Sequence, residues 1–277
     1  MGRAKRIPYG VSDFIDIIER NQYYVDKTMY IPKLEDEPDA LFFIRPRRLG
    51  KSLFISMLRA YYDIKRKDKF DKLFGNLWIG SHPTENQGKY QVLFLDFSKI
   101  GGSIDQLEEN FNAYCNECID SFIETYQEYY PERVVESVLT AKTAARKLNA
   151  IGIAAEKKNL PLYLIVDEYD NFTNVVLNEQ GEEVYTALTH ASGFYREIFK
   201  VFKGMFSKIF MTGVSPVTLD DLTSGFNIGW HISTKPAFNQ MLGFSTEDVR
   251  ELFTYYKENG EIRPDSDVEA ILSLIHI

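Results

Sequence analysis

Cysteine is scarce in this chain, which contains two among its 277 residues. Both lie in the segment from Cys115 to Cys118, within a pattern of helical periodicity and with no second pair in the sequence. Zinc and redox centres of the Cys-x-x-Cys type usually need a second pair of ligands or a helix start that follows a strand. The sequence therefore favours two cysteines on a half-buried helix face over a metal or redox centre.

Long apolar runs are also missing from the sequence. None approaches the ~18 residues that predict a membrane-spanning helix. The basic first residues, MGRAKRIPYG, are not followed by the apolar stretch of a signal peptide. We therefore expect a cytoplasmic protein that does not insert into a membrane.

Positive charge is in deficit, because 32 Lys and Arg residues face 40 Asp and Glu residues and the formal net charge is −8 at pH 7. This balance argues against broad electrostatic binding of nucleic acid by the segment as a whole. With 44% hydrophobic and 26% charged residues, the composition is that of a soluble, folded protein.

The most informative feature present is a basic turn, LFFIRPRRLGKS at residues 41–52, between an apolar run and a helical pattern. The apolar run predicts a strand, and Gly50-Lys51-Ser52 opens the helix. The N–H groups and dipole of a helix start attract an anion, Lys51 can reach β- and γ-phosphates, and Ser52 can hold Mg²⁺. The pattern predicts a nucleoside triphosphate site, with contacts from Arg47, Arg48, Leu49, Gly50, Lys51, Ser52 and Leu53.

This turn departs from the usual phosphate-loop pattern G-x-x-x-x-G-K-[ST], because Arg45 occupies the first Gly position. Loss of that Gly removes backbone freedom for wrapping phosphates, whereas Arg45, Arg47 and Arg48 add planar donors that can contact them. The alternative interpretation is a basic surface turn that contains Gly-Lys-Ser by chance.

An acidic pair after a second apolar run supports the nucleotide interpretation. The run LPLYLIVDEYDNF, from Leu160 to Phe172, predicts a buried parallel strand beside the first strand, with Asp167 and Glu168 at its carboxyl end. We predict that Asp167 holds Mg²⁺, directly or through water, and that Glu168 polarises the attacking water. The alternative is an acidic helix N-cap that follows a core strand.

Further runs complete a predicted sheet with covering helices. Strands are predicted at 90–100 and 207–216, and long helices at 104–130 and 132–158. The prediction is an α/β fold, a three-layer P-loop NTPase sandwich with a mainly parallel sheet. A strand between the phosphate-loop strand and the acidic strand favours the additional-strand type. In that type Thr212 senses the γ-phosphate, whereas the alternative is a hydroxyl that only satisfies a strand end.

The chain divides into three predicted parts and a tail. Residues 1–40 form a lead-in packed on the core, 41–235 form the ATPase core, and 236–271 begin a helical lid. The tail at 272–277 reads LSLIHI, which the sequencing adapter CTGTCTCTTATACACATC encodes in one frame. We therefore expect the natural chain to continue in place of this tail.

Taken together, these residues resemble the bacterial predicted AAA-ATPase-like family. The resemblance covers nearly the whole chain, through IPYGVSDF, YYVDKT, RPRRLGKS, FLDFS, VDEYDNFTN and MTGVSPVTLDDLTSGFNIG. Members typically share the Arg at the first Gly position and have Phe where Leu49 stands. The resemblance implies ATP and Mg²⁺ as ligands, with Lys51 and Ser52 on phosphate and metal, Asp167 on the metal and Glu168 activating water.

Full-length members of the family usually carry a C-terminal PD-(D/E)XK nuclease-like domain, which this chain lacks. The resemblance therefore implies nucleic acid as a partner only through that missing domain. It also marks Tyr24, Asp26 and Lys27 as a motif that either lines the nucleotide base or packs the lead-in onto the core. Oligomerisation is compatible with the family, and Arg196 is a candidate arginine finger that the sequence does not single out.

Three functions compete on this sequence. The first is an ATPase, with Lys51, Glu168 and Thr212 as catalytic residues, in which hydrolysis switches the position of a lid or an attached nuclease-like domain. The alternative is a nucleotide-regulated binding module with little or no hydrolysis, and the third is a small-molecule or nucleotide kinase. Phosphate release compared with equilibrium binding separates the first two, and product analysis separates the third.

Overall fold

A central β-sheet separates two apolar cores. The computed structural model describes residues 4–101, 106–171, 194–215 and 229–274. Outside the described part lie the family-motif residues 172–174 and 216–228, the tail residues 275–277 and the side chain of Arg196.

Helices flank the sheet on both faces. Within the described ranges they are α1, Phe14–Glu19; α2, Tyr30–Glu35; α3, Lys51–Tyr62; α4, Phe70–Phe74; α5, Leu107–Thr125; α6, Glu132–Thr140; α7, Ala144–Lys157; α8, Phe194–Met205; α9, Thr246–Glu258; and α10, Val268–Leu274. None of these helices is long and apolar enough to cross a membrane.

The described strands form one sheet in the order β2-β3-β4-β1-β5. They are β1, Ala40–Ile44; β2, Gln91–Asp96; β3, Leu162–Asp167; β4, Lys208–Gly213; and β5, Trp230–His231. The pairings of β1 with β4 and β5, of β2 with β3, and of β3 with β4 are all parallel. The carboxyl ends of the strands therefore meet at one edge of the sheet, where ligands bind in open α/β folds.

Alternate side chains along each strand enter the two cores. In β3, Leu164 and Val166 belong to the core that contains α5, α6, α7 and α8. Tyr163 and Ile165 belong to the core that contains α1, α2, α3 and α4. All six residues of β3 are buried, as expected of a parallel strand covered on both faces. The predicted three-layer α/β architecture with a mainly parallel sheet is confirmed.

The prediction that β3 lies beside β1 is wrong. Strand β4 separates them, because Ile209 of β4 pairs with Ala40 of β1 on one side and with Leu164 of β3 on the other. This insertion is the additional-strand arrangement. The strand that lies between β1 and β3 along the chain is β2, and it occupies a sheet edge.

The prediction of one helix over 132–158 is also wrong, because the segment forms the two helices α6 and α7. Ala141 is extended, with ψ 139°, and ends α6. The hydroxyl of Thr143 then accepts the N–H of Arg146 at 3.4 Å and starts α7. The break lets Val138 and Leu148, both fully buried, enter the same core.

The two cysteines lie on α5, within the predicted helical segment. Cys115 is buried and Cys118 is half-buried, and both are free thiols. Burial raises the pKa of the Cys115 thiol well above its ordinary value. A thiol held protonated in this way is a poor nucleophile and a poor metal ligand, in agreement with a packing role.

Helix α9 is attached to the lead-in. The hydroxyl of Tyr255 accepts the Lys5 N–H at 2.9 Å, and the hydroxyl of Tyr256 donates to the Lys5 carbonyl at 2.5 Å. The Tyr23 ring lies against both tyrosine rings, at centroid distances of 5.1 and 5.7 Å. Lys5 and Tyr23 of the lead-in therefore form part of the surface against which α9 packs.

Candidate nucleotide-binding site

The turn between β1 and α3 has a backbone shape suited to wrapping an anion. Gly50 has φ 86° and Arg48 has φ 69°, so both lie in the left-handed region. A Cβ added at Gly50 would meet nothing within 4 Å, so glycine is required there for its conformation and not for space. Gly50 is also the N-cap of α3, and its carbonyl accepts the Phe54 N–H at 3.0 Å. The N–H groups of the first turn of α3 therefore remain available to an anion.

Lys51 lies inside this turn and is 6% exposed. Its ammonium donates to the carbonyls of Arg45 at 3.0 Å and of Pro46 at 3.1 Å. Burial lowers the pKa of Lys51, and the carboxylates of Asp167 and Glu168 act in the opposite direction. The lysine charge thus lies in the field of the acidic pair.

The Asp167 carboxylate joins three elements of the fold. Its Oδ2 accepts the Ser52 hydroxyl of α3 at 2.7 Å, and its Oδ1 accepts the Thr212 hydroxyl of β4 at 2.6 Å. Asp167 is 3% and Thr212 1% exposed. Ser52 is exposed. The carboxylate oxygen that it contacts, Oδ2, is therefore the one on the side of the phosphate turn.

The oxygen set formed by Ser52 and Asp167 fits Mg²⁺. A hydroxyl and a carboxylate in contact are hard ligands, and Mg²⁺ takes most of its remaining ligands from water and substrate phosphates. Among the described residues no three His, Cys, Asp or Glu side chains form a cluster that could enclose a metal ion.

Glu168 follows directly in a strained conformation. Its φ is 50°, in the left-handed region that a non-glycine residue rarely occupies. The N–H of Tyr169 donates to the Thr212 carbonyl at 3.0 Å, which fixes the chain after the turn. Burial and the neighbouring Asp167 raise the pKa of Glu168, whereas Arg47 and Lys51 lower it. Such a carboxylate is a stronger base than an exposed glutamate.

The three arginines of the turn have different contacts. Arg45 points away from the phosphate side, because its guanidinium donates to the carbonyls of Ile44 at 3.0 Å and Ser233 at 2.8 Å. Arg47 donates to the side chain of Asn171 at 3.2 Å, across the site. Arg48 is exposed. The guanidinium of Arg45 is thus held by backbone carbonyls, whereas phosphate contacts from Arg47 and Arg48 stay a prediction.

A cavity of about 280 Å³ adjoins the outer side of the turn. Most of the side chains in its wall are apolar. It is lined by the lead-in residues Tyr24, Val25 and Lys27, by Arg48, Leu49, Gly50, Leu53 and Phe54, and by Met241, Leu242, Gly243 and Phe244. The sequence predicted that Tyr24 and Lys27 either line the nucleotide base or pack the lead-in onto the core. It did not indicate residues 241–244 as part of the site. The only sequence signal was the Gly243-Phe244-Ser245 turn before α9.

The structure brings most of the predicted site residues together. Lys51, Ser52, Asp167, Glu168 and Thr212 converge at the carboxyl edge of the sheet. The other predicted contacts lie around them: Arg47 next to Glu168, and Arg48, Leu49, Gly50 and Leu53 on the cavity wall.

Comparison with known proteins places these residues in a family. The family model described as Predicted AAA-ATPase matches residues 8–223. An uncharacterized protein from the vnfD 5' region of Azotobacter chroococcum mcd 1 is 25% identical over 267 residues, which is 90% of this chain and 45% of that protein. The chain therefore spans less than half of that relative.

Among solved structures, the ORC2 protein of Aeropyrum pernix, in ADPNP and ADP complexes, aligns over 93% of this chain and 57% of that chain. The sequence identity is 13% and the TM-score is 0.37. The family match covers the phosphate turn, the acidic pair and β4, and the chain belongs to the Predicted AAA-ATPase family.

Proposed function

We propose that this chain binds ATP with Mg²⁺ and hydrolyses its terminal phosphoanhydride, and that the nucleotide state sets the position of α9 as a lid. The observation that carries the proposal is the junction at Asp167. One carboxylate receives hydroxyls from the phosphate-turn helix and from the inserted strand, at 2.7 and 2.6 Å.

Phosphate binding falls to the turn and the start of α3. Lys51 is held by two loop carbonyls, so its ammonium is positioned before any ligand arrives. The N–H groups at the start of α3 and the exposed Arg48 add donors on the same side. Together they supply the fixed positive field that phosphoryl transfer requires.

Metal binding falls to Ser52 and Asp167. Bound Mg²⁺ would neutralise charge on the β- and γ-phosphates. Thr212 contributes through Asp167: its buried hydroxyl holds Oδ1, which orients Oδ2 toward Ser52. In this proposal Thr212 is a positioning residue, and any contact with the γ-phosphate passes through that carboxylate.

Glu168 is the proposed base that takes a proton from the attacking water. Its raised pKa increases its proton affinity, and its strained backbone holds the side chain at the end of β3. Arg47 is near enough to lower that pKa and is tied to Asn171. The acidic and basic sides of the site are thereby linked before nucleotide binds.

The apolar cavity beside Leu49 and Gly50 is the proposed seat of the base. Concave, mostly apolar walls with a few polar groups are the usual surroundings of a planar ligand. Tyr24 is half-buried, its ring packs against Phe14 at a centroid distance of 5.2 Å, and burial raises the pKa of its hydroxyl. This arrangement gives Tyr24 a part in the wall, which was one of the two roles open to it from the sequence.

Glu168→Gln tests the hydrolytic step. We expect the variant to bind ATP with Mg²⁺ as the parent does, while kcat falls by about 10²–10⁴-fold because the general base is lost. Phosphate release and equilibrium nucleotide binding are measured on the same preparations. Hydrolysis at the parental rate in Glu168→Gln would show the base assignment to be wrong. A parent that binds ATP but releases no phosphate at saturating Mg-ATP would instead support the binding-module alternative.

A further inference from the structure

The lead-in motif from Tyr24 to Thr28 is fixed to the body of the protein through its acidic residue. One oxygen of Asp26 accepts the N–H and the hydroxyl of Thr28, at 2.8 and 2.6 Å. Its other oxygen accepts the Trp78 N–H at 2.6 Å, and the Thr28 hydroxyl oxygen accepts the Ile79 N–H at 3.1 Å. Asp26 and Thr28 therefore anchor the motif, and neither is directed at the cavity.

Lys27, between these two anchors, points toward α9. Its ammonium donates to Oδ2 of Asp248 at 2.6 Å, and the two side chains are 11% and 15% exposed. Asp248 also caps α9, because Oδ2 accepts the Ser245 N–H at 2.6 Å and the Ser245 hydroxyl accepts the Asp248 N–H at 3.1 Å. The lead-in thus holds α9 by the same carboxylate that defines the start of the helix.

The Asp248 carboxylate of this pair is charged at neutral pH. Burial acts to raise the pKa of Asp248, but the hydrogen bonds from Lys27 and Ser245 outweigh it, so the pKa is lowered. Because both charges are shielded from water, removal of one partner leaves the other poorly solvated. The contact is therefore sensitive to any change that separates its two sides.

The same Lys27 side chain lines the cavity beside the phosphate turn. The opposite wall belongs to the segment that leads into α9, where Phe244 is exposed and the Gly243 N–H donates to the Leu49 carbonyl at 3.0 Å. One side of the cavity is thus on the lead-in, and the other side is continuous with α9. The contact between Lys27 and Asp248 therefore joins the two sides of the cavity.

We propose that Lys27 and Asp248 are positioning residues that close the nucleotide cavity, so that a base bound there fixes α9 against the lead-in. This inference rests on the proposed function, because it takes the cavity occupant to be the base of ATP. The proposal gives each residue of the lead-in motif a role. Asp26 and Thr28 anchor the motif, and Lys27 couples binding in the cavity to the position of α9.

A double-mutant cycle on the full chain tests the proposal. The variants are Lys27→Met, Asp248→Asn and the pair, since asparagine retains an acceptor for the Ser245 N–H. We expect each single variant to raise the dissociation constant for ATP with Mg²⁺ by about tenfold, with the double variant close to the singles.

Hydrogen exchange gives a readout that simple loss of stability would not produce. ATP should slow exchange of residues 246–258 in the parent and in the control, but not in Lys27→Met. The matched control is Arg250→Gln, which breaks the exposed ion pair of α9 with Glu269 away from the cavity.

The outcomes separate the two proposals. If the parent binds no ATP, the proposed function fails, and the inference fails with it. If the parent binds ATP but Lys27→Met binds equally well, or its α9 is still protected by ATP, the inference alone is overturned.

Discussion

The two ends of the sheet differ in how exposed their charged and polar residues are. The larger cavity, about 760 Å³, lies at the amino end between α7 and α8, and its charged lining residues Glu156 and Lys200 are exposed. The smaller cavity lies on the outer side of the turn that ends at Gly50. The polar groups of the candidate site at the same end, Lys51, Asp167 and Thr212, are 6%, 3% and 1% exposed. The larger cavity therefore does not coincide with the proposed nucleotide site, which is marked instead by buried polar groups around one carboxylate.

Backbone strain shows the same contrast. At the amino end the left-handed residue is Asn159, after α7, and asparagine adopts that conformation at low cost. At the carboxyl end Arg48 and Glu168 adopt it without such a preference. Strain of about 1–3 kcal/mol per residue persists only where surrounding contacts enforce it. Here the enforcing contacts are those of the proposed nucleotide site.

Substitution of one lysine at each end gives the largest expected difference. Lys51→Ala removes charge-assisted hydrogen bonds to phosphate worth about 1.5–3 kcal/mol and should weaken ATP binding by about 10–100-fold. Lys200→Ala changes an exposed lysine of the larger cavity and should leave binding unchanged. Equilibrium nucleotide binding measures both. An equal loss of affinity in the two variants would break the contrast between the ends.

Two buried hydroxyls allow a sharper comparison. Thr212→Val removes the donor to Asp167 and should raise the Mg²⁺ concentration for half-maximal activity by about 10-fold, since residues behind a metal ligand tune its affinity. Tyr130→Phe removes a buried donor to Gln91 at the amino end. It should lower the unfolding temperature without changing the Mg²⁺ requirement. Magnesium titrations of activity, with melting curves, distinguish these effects.

Two glycines test strain against helix propensity. An added Cβ meets nothing within 4 Å at Gly50 or at Gly204. Gly50→Ala forces alanine into the left-handed region and should reduce the free energy of unfolding by about 1–2 kcal/mol. Gly204→Ala lies in α8 and should increase it by about 0.5–1 kcal/mol. Denaturant unfolding gives both values, and the same sign for the two variants would contradict the strain argument.

The smallest expected effect concerns pH. As the proposed base, Glu168 must be deprotonated, so activity should fall as pH drops through its pKa, which lies above the ordinary 4.5. Arg47 lowers that pKa, so Arg47→Gln should move the acid limb of kcat/KM to higher pH. Arg47→Lys retains the charge and serves as the control. If the acid limb of kcat/KM stays at the same pH in Arg47→Gln, then either Glu168 is not the base or Arg47 does not influence its pKa.

Local features of the site were predictable because each appears in the sequence as a short pattern of neighbouring residues. An apolar run followed by Gly50-Lys51-Ser52, and another followed by Asp167, predict strands with ligands at their carboxyl ends. The lateral order of the strands was not predictable in this way, because periodicity carries no information about neighbours in a sheet. The break near Thr143 also escaped detection, since the apolar spacing continues through it.

Contacts between distant parts of the chain were the least predictable. Lys27 meets Asp248, and Leu49 meets Gly243, through pairings that no local pattern encodes. The outward turn of Arg45 depends on the carbonyl of Ser233, which sequence alone does not place nearby. These three contacts all involve the segment after β5, which the sequence did not connect with the phosphate turn or with the lead-in.

The position of β4 also has a consequence for biosynthesis. Ala40 of β1 pairs with Ile209 of β4, and Leu41 pairs with Trp230 of β5, so β1 leaves the ribosome long before either neighbour exists. Until then its apolar residues and unpaired peptide groups have no permanent partner, which is the situation that recruits chaperones and slows folding. A nascent chain that stops before β4 should accordingly be captured by chaperones, whereas release past β5 should end that dependence.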